Sequence, residues 1–303
     1  ADKAIDVTAC LLRYCQNAGV DFHFNERAEK IEFNDSTASG IITDKSRYSA
    51  DAVIVCTGGV SYPATGSTGD GIRFAKEAGL ETVTLRPALC GIVCRMSGLE
   101  DLQGLSLKNV RVSAYEEQKC VSSFFGEMLF THFGVSGPAI LSMSSEINRR
   151  DIKKIRLQID LKPALEPSVL DKRVLRDFEK YANKQMRNAL VDLLPKKLII
   201  PVLRQCGCDA ELPVHSLTKE KREALVQTLK GFTLQVVSLR PIEEGIVTAG
   251  GVDVAEIDPK TMRSKRHEGL YFCGETLDVD AYTGGFNLQI AFSTGYAAGN
   301  SIR

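Results

Sequence analysis

The residues with the clearest chemical potential lie near the end of the 303-residue chain, where the apolar run Leu270–Cys273 is followed by Gly274-Glu275 and then by Gly284-Gly285-Phe286-Asn287-Leu288. Paired glycines admit backbone conformations closed to other residues and let a planar or anionic group approach the main chain. The free N–H groups and positive dipole end of a helix opening at Phe286 favour negative charge at that point. A carboxylate just past a buried strand, Glu275, suits the hydroxyls of a ribose or ribityl chain. The same residues also fit a tight strand-to-helix turn with no ligand, and this segment alone does not decide between the two.

A second glycine turn changes that balance. Ala52–Cys56 is a continuous apolar run suited to a buried parallel strand, and it ends in Thr57-Gly58-Gly59. A Gly/Ser/Thr loop containing Tyr62 follows and leads into a helix that Gly79 should close. In open α/β sheets ligands sit beyond the carboxyl ends of strands, where such turns gather. Two of them at opposite ends of the chain point to one nucleotide-type site built from both. Tyr62, Pro63 and Phe286 are candidates for a stacking surface there.

Five segments carry a family resemblance: residues 55–71 (VCTGGVSYPATGSTGDG), 131–141 (THFGVSGPAIL), 248–252 (TAGGV), 261–265 (TMRSK) and 284–289 (GGFNLQ). In type and order they resemble the bacterial NAD(P)/FAD-dependent oxidoreductases that include aminoacetone oxidase-like and bile-acid-inducible flavoproteins. The resemblance implies a glutathione-reductase-like α/β FAD-binding domain with an inserted β-rich subdomain and a helical lid. It implies FAD as cofactor, NAD(P)H as a candidate electron donor, and a small-molecule substrate. Thr57, Gly58, Gly59, Tyr62, Gly274, Glu275, Gly284, Gly285, Phe286, Asn287 and Leu288 are the expected cofactor-binding residues. Alternatives within the same frame are a reductase of a large steroid-like substrate and a non-catalytic nucleotide-binding protein.

One departure from that pattern carries its own expectation. Such proteins open with a strand, a Gly-x-Gly-x-x-Gly turn and a helix, and no Gly-x-Gly-x-x-Gly occurs in this chain. The expected reading is a chain shortened at its N-terminus by roughly one hundred residues, the size of a small domain, with weak or no FAD binding and little activity of its own.

Composition sets the remaining bounds. Lys plus Arg and Asp plus Glu both number 38, which offers no basic field for nucleic acid and no polybasic membrane anchor. We therefore expect no nucleic-acid and no membrane partner, and a cytoplasmic location. The nine cysteines lie mostly in apolar contexts, as buried free thiols do in a reducing compartment. Cys206-Gly-Cys208 and the Cys90/Cys94 pair lack the companion ligands of a zinc site, so no metal is expected. Among the four histidines only His132 falls inside a family-like segment. No catalytic acid or base stands out, and Glu243-Glu244 reads as a solvated turn.

The elements that must position these turns are legible in outline. Residues 1–80 form the first part of the nucleotide-type domain, with a helix over 3–18, a strand over 20–24, and a hairpin about Asn34-Asp35. Residues 81–162 read as the β-rich insertion. Residues 163–230 are helical in period and broken by Pro195, Pro201 and Pro213, which gives the helical lid. Residues 231–303 return the chain through a strand at 232–239 to the last part of the domain.

Overall fold

A computed structural model describes residues 3–302 of the chain. The first segment runs α1 (Ala4–Asn17), β1 (Ala28–Asn34), β2 (Thr37–Thr43), β3 (Arg47–Ser49), β4 (Val53–Val55), α2 (Asp70–Glu77) and β5 (Thr82–Ala88). β1, β2 and β3 form a three-stranded antiparallel sheet whose first turn places Asp35 at φ 55°, a conformation that Asp tolerates better than most residues. The expected strand over 20–24 does not form. Val20, Phe22 and Phe24 are exposed there and pair with no strand among the described residues. The stripe of α1 is likewise uncovered, with no buried residue in the helix.

α2 shows how local chemistry sets an element's ends. Asp70 in its first turn pairs with Arg27 at 2.8 Å, complementing the positive end of the helix. At the other end Gly79 takes φ 74°, and Gly79 N and Leu80 N donate to Lys76 O (3.0 Å) and Ala75 O (2.9 Å), which satisfies carbonyls the helix leaves open. Ile72, Phe74 and Ala75 are buried against the sheet side.

The middle of the chain builds a closed six-stranded barrel in the order β10-β11-β6-β9-β8-β7. Its strands are β6 (Ile92–Arg95), β7 (Ser106–Glu116), β8 (Lys119–Phe130), β9 (Gly134–Ser136), β10 (Ile155–Asp160) and β11 (Phe232–Leu239), with α3 (Pro138–Ile147) between β9 and β10. The strand at 232–239 thus belongs to the barrel, between β10 and β6. Its alternating burial puts Phe232, Leu234 and Val236 inside, the period-2 pattern of a strand with one dry face.

α4 (Pro167–Lys180), α5 (Met186–Ala189), α6 (Lys196–Gln205) and α7 (Lys219–Lys230) share the barrel's core instead of forming a separate lid. Leu170, Val174, Leu198, Val202, Leu225 and Leu229 belong to the same apolar cluster as Val112, Phe130 and Leu157. Each such side chain, once buried, contributes roughly 1.5–3 kcal/mol. Pro201 does not break its helix: it sits buried inside α6, where burial offsets the lost hydrogen bond. Pro195 and Pro213 do mark element starts.

The last segment is β12 (Val247–Val252), β13 (Leu270–Phe272) and α8 (Phe286–Ser301). β12 pairs antiparallel with β5, and β13 pairs parallel with β4. A second core gathers Val55, Phe74, Leu80, Val252, Leu270, Phe272 and Ala298. The molecule is therefore mixed α/β, with a parallel strand pair and its helices on one core and a barrel with its helices on the other.

Candidate functional site

The parallel pairing of Val55 with Phe272 carries both glycine turns out at the same end of β4 and β13. They are then stitched together. Glu275 Oε1 accepts from Thr248 N at 2.7 Å, and Thr248 Oγ1 accepts from Val60 N at 2.9 Å and Ser61 N at 3.2 Å. A Cβ on Gly59 would stand 3.0 Å from Glu275 Oε1 and closer still to Thr248, so only glycine fits between them. Thr57 has a local task, accepting from Gly71 N at 3.0 Å through its hydroxyl and so orienting the start of α2. Gly58 turns at φ 74°.

On the other side, Gly284 and Gly285 adopt φ 117° and 89° and open α8 with no side-chain cap on its first amides. Asn287 holds the preceding loop, accepting from Ala281 N at 2.9 Å and donating to Ala281 O at 2.8 Å. Glu275, Gly284, Gly285, Asn287 and Leu288 line one cavity of about 390 Å³ together with Leu89. Gly59 reaches the edge of this group through Glu275. Burial pushes the Glu275 carboxyl above its ordinary range, against the opposing pull of the Thr248 hydrogen bonds.

Six expected residues do not line that cavity: Thr57, Gly58 and Gly59, which meet it only through the Glu275–Thr248 stitch, and Gly274, Phe286 and Tyr62. Gly274 is a packing residue whose N–H donates to Thr294 Oγ1 at 2.9 Å, with α8 close enough that a Cβ would meet Ala291 at 3.5 Å. Phe286 faces a neighbouring cavity of about 470 Å³, lined also by Ser145, Glu146, Asp280 and Tyr282. Tyr62 is about half exposed, with its N–H on Glu243 O at 3.2 Å, and it lines neither space. His132 is exposed and packs edge-on against Phe133.

The structure adds residues that the sequence did not single out. Tyr282 is common to both cavities, and its hydroxyl donates to Glu146 of α3. That hydrogen bond, with burial second, pushes the phenol up to about 12. Arg149, just past the end of α3, and Asp278 make a parallel tie to the same loop at 2.7 Å. Burial holds the Asp280 carboxyl above its ordinary range. Thr248 and Leu89 complete the frame. Thr248 opens the family-like segment 248–252, and its hydroxyl among apolar and glycine neighbours is a usable signal. Leu89, at φ 51°, left none.

Residues 1–301 match the HI0933-like protein Rossmann domain. The chain belongs to this family. It is similar to the ribosomal RNA dihydrouridine synthase of Escherichia coli strain K12, 29% identical over 301 residues, which span 99% of this chain and 72% of that protein. It is similar to the 3-dehydro-bile acid delta(4,6)-reductase of Clostridium scindens, 28% identical over 305 residues, 99% of this chain and 74% of that protein. It is also 31% identical over 278 residues to the ribosomal RNA dihydrouridine synthase of Haemophilus influenzae, 91% of this chain and 66% of that protein.

These relatives uphold the family resemblance and overturn one expectation. The equal numbers of acidic and basic residues were read as excluding nucleic acid, yet two relatives are named for ribosomal RNA. Net charge averages the whole surface, whereas phosphate contact depends on local cations and on shape, so neutrality does not exclude an RNA partner. Among the described residues no helix is long and apolar enough to cross a membrane.

Proposed function

We propose that this protein is a flavin-dependent oxidoreductase that binds FAD in the cavity between Glu275 and the start of α8 and reduces a ring carbon–carbon double bond conjugated to a carbonyl. The observation that carries this reading is the uncapped start of α8 behind two left-handed glycines, facing an apolar-lined cavity that also holds Glu275. The fit of a flavin rests on that geometry. Nothing lies within 4 Å of a Cβ built on Gly285, which leaves room for a planar ring against the backbone.

A bound flavin supplies hydride transfer, with negative charge developing on its ring. The first amides of α8 are aimed where such charge is stabilised. Glu275 keeps lone pairs free beyond the one used by Thr248 and can accept from hydroxyls of a ribityl or ribose. Leu89, Ile246 and Leu288 give the cavity an apolar lining. Tyr282, at the wall between the two cavities, holds a proton on the side where a substrate ring would enter. The relatives' names support the reaction class, since making dihydrouridine and reducing a delta(4,6) system both add hydrogen across ring double bonds. NAD(P)H is the proposed electron donor.

The test is spectroscopic. Protein reconstituted with FAD and reduced anaerobically by NADPH should regain its oxidised flavin bands on addition of a uridine-containing ribosomal RNA or a cyclic enone. Failure to retain FAD, or bands unmoved by either substrate, would remove the proposal.

A further inference from the structure

The strands that deliver the two turns also carry a pair of thiols. Val55 and Phe272 are ladder partners in the parallel β4–β13 pair, so the next residues, Cys56 and Cys273, stand side by side. The register runs on through them. Cys273 keeps an extended backbone (φ −138°, ψ 157°), and its N–H donates to Val55 O at 3.1 Å. Neighbouring strands lie about 4.8 Å apart, inside the Cα separation of roughly 4.4–6.8 Å that a disulfide spans. Cys56 is exposed, whereas Cys273 is buried beneath α8 with its Sγ 3.4 Å from Thr294 O.

We propose that Cys56 and Cys273 form a redox-active dithiol that closes to a disulfide when the protein meets hydrogen peroxide. Cys56, as thiolate, attacks the peroxide oxygen. An S–O bond forms, the O–O bond breaks, and hydroxide leaves, taking a proton to become water. Cys273 then attacks the Cys56 sulfenic sulfur, the S–S bond forms, and the S–O oxygen leaves as a second water with the Cys273 proton. Two thiols and one peroxide give one disulfide and two waters, with the peroxide reduced and the sulfurs oxidised.

The division of labour follows from position. A solvent-facing thiol is the better nucleophile, and the neighbouring Cys273 thiol holds Cys56 below its ordinary range. Cys273 is itself held well above the ordinary range, first by the neighbouring Cys56 thiol and then by burial, which suits a partner that reacts only after Cys56 has been oxidised. The nearby-in-sequence pair Cys206 and Cys208 differs, since both thiols are buried and neither offers an entry point. Closure would tie β4 to β13 at the roots of Thr57-Gly58-Gly59 and Gly274-Glu275, and so touches the geometry of both turns at once.

The chain is treated with hydrogen peroxide, free thiols are blocked with N-ethylmaleimide, and the protein is digested without reductant. A peptide pair joined through Cys56 and Cys273 is expected, lighter by two hydrogens than the separate peptides and released by dithiothreitol. In Cys56→Ser, whose folding is checked by circular dichroism, Cys273 should stay open to the blocking reagent after denaturation at every peroxide dose. The proposal is overturned if Cys56 proceeds to sulfinic acid while Cys273 remains free. It is equally overturned if no joined pair forms at a dose that oxidises the exposed Cys120, or if Cys273 is oxidised as readily in Cys56→Ser.

Discussion

Thr248 N donates to Glu275 Oε1 at 2.7 Å while Thr248 Oγ1 accepts from Val60 N at 2.9 Å, so one residue of β12 joins two turns that are far apart in sequence. Replacing it with valine keeps the shape and leaves the Val60 and Ser61 amides without their acceptor. Each buried orphan donor costs about 1–3 kcal/mol. Thr248→Val should therefore lower the urea midpoint markedly, whereas Thr248→Ser should hold it near the wild-type value.

Gly285→Val should abolish flavin retention in the FAD-reconstituted protein, because a branched side chain at φ 89° is strained and blocks approach to the α8 amides. Cys206→Ser, in the barrel-side helices, should leave it unchanged. Flavin absorbance after gel filtration reads both. Equal flavin content in wild type and Gly285→Val would reduce the Gly284-Gly285 loop to a plain turn.

The Tyr282 phenol should ionise near pH 12, above the ordinary value of about 10. Glu146→Gln removes the charged acceptor, so the ionisation should fall back towards the ordinary value. The sign for stability follows. A raised folded-state value favours the protonated form, and that contribution is complete at neutral pH and lost as pH rises through the window up to about 12. Ultraviolet difference absorbance of tyrosinate across alkaline pH measures the shift.

Glu275 gives the corresponding test at acid pH. Its folded-state value is raised by burial, so its contribution is greatest below the ordinary carboxylate range and declines as pH rises through the raised value. Glu275→Gln, which mimics the neutral form, should flatten that decline in thermal melts taken from pH 4 upward. A slope unchanged by the substitution would place the raised carboxyl elsewhere, with Asp280 the next residue to test.

Leu225→Ala in α7 should cost about 2–5 kcal/mol, and it should move the unfolding of helices and barrel together, since Leu225 shares a core with Phe130 and Leu157. Far-ultraviolet circular dichroism and the near-ultraviolet tyrosine signal should shift in one transition. Two separate transitions would show that the helices stand as an independent body.

The turns were legible because they are local chemistry. Gly58-Gly59, Gly284-Gly285 and the closure of α2 at Gly79 follow from residue types within a few positions of each other, as does the hairpin at Asp35. The apolar runs at 52–56 and 270–273 likewise announced strands, though not that they pair with each other; the second is buried throughout, whereas in the first only Val55 is buried and Ile54 and Cys56 are exposed. What local pattern could not supply was partnership. Val20–Phe24 has strand-like composition but finds no ladder, and the alternation in 232–239 does not say that its neighbours will be β10 and β6. Tyr282 and Leu89 enter the site through contacts with α3 and β12, which exist only once distant segments have met.

The closure of the barrel has a consequence for how the molecule comes into being. β6 ends at Arg95 and its ladder partner β11 begins at Phe232, so the sheet stays open while the intervening residues are synthesised. Until Leu239 clears the ribosome, β6 and β10 each present an unpaired edge to the surroundings, with Phe130 and Leu157 behind them. Pairings this distant slow folding and prolong exposure to self-association. Chains halted before β11 should therefore be the species that chaperones hold, and release into the folded form should wait on that final strand.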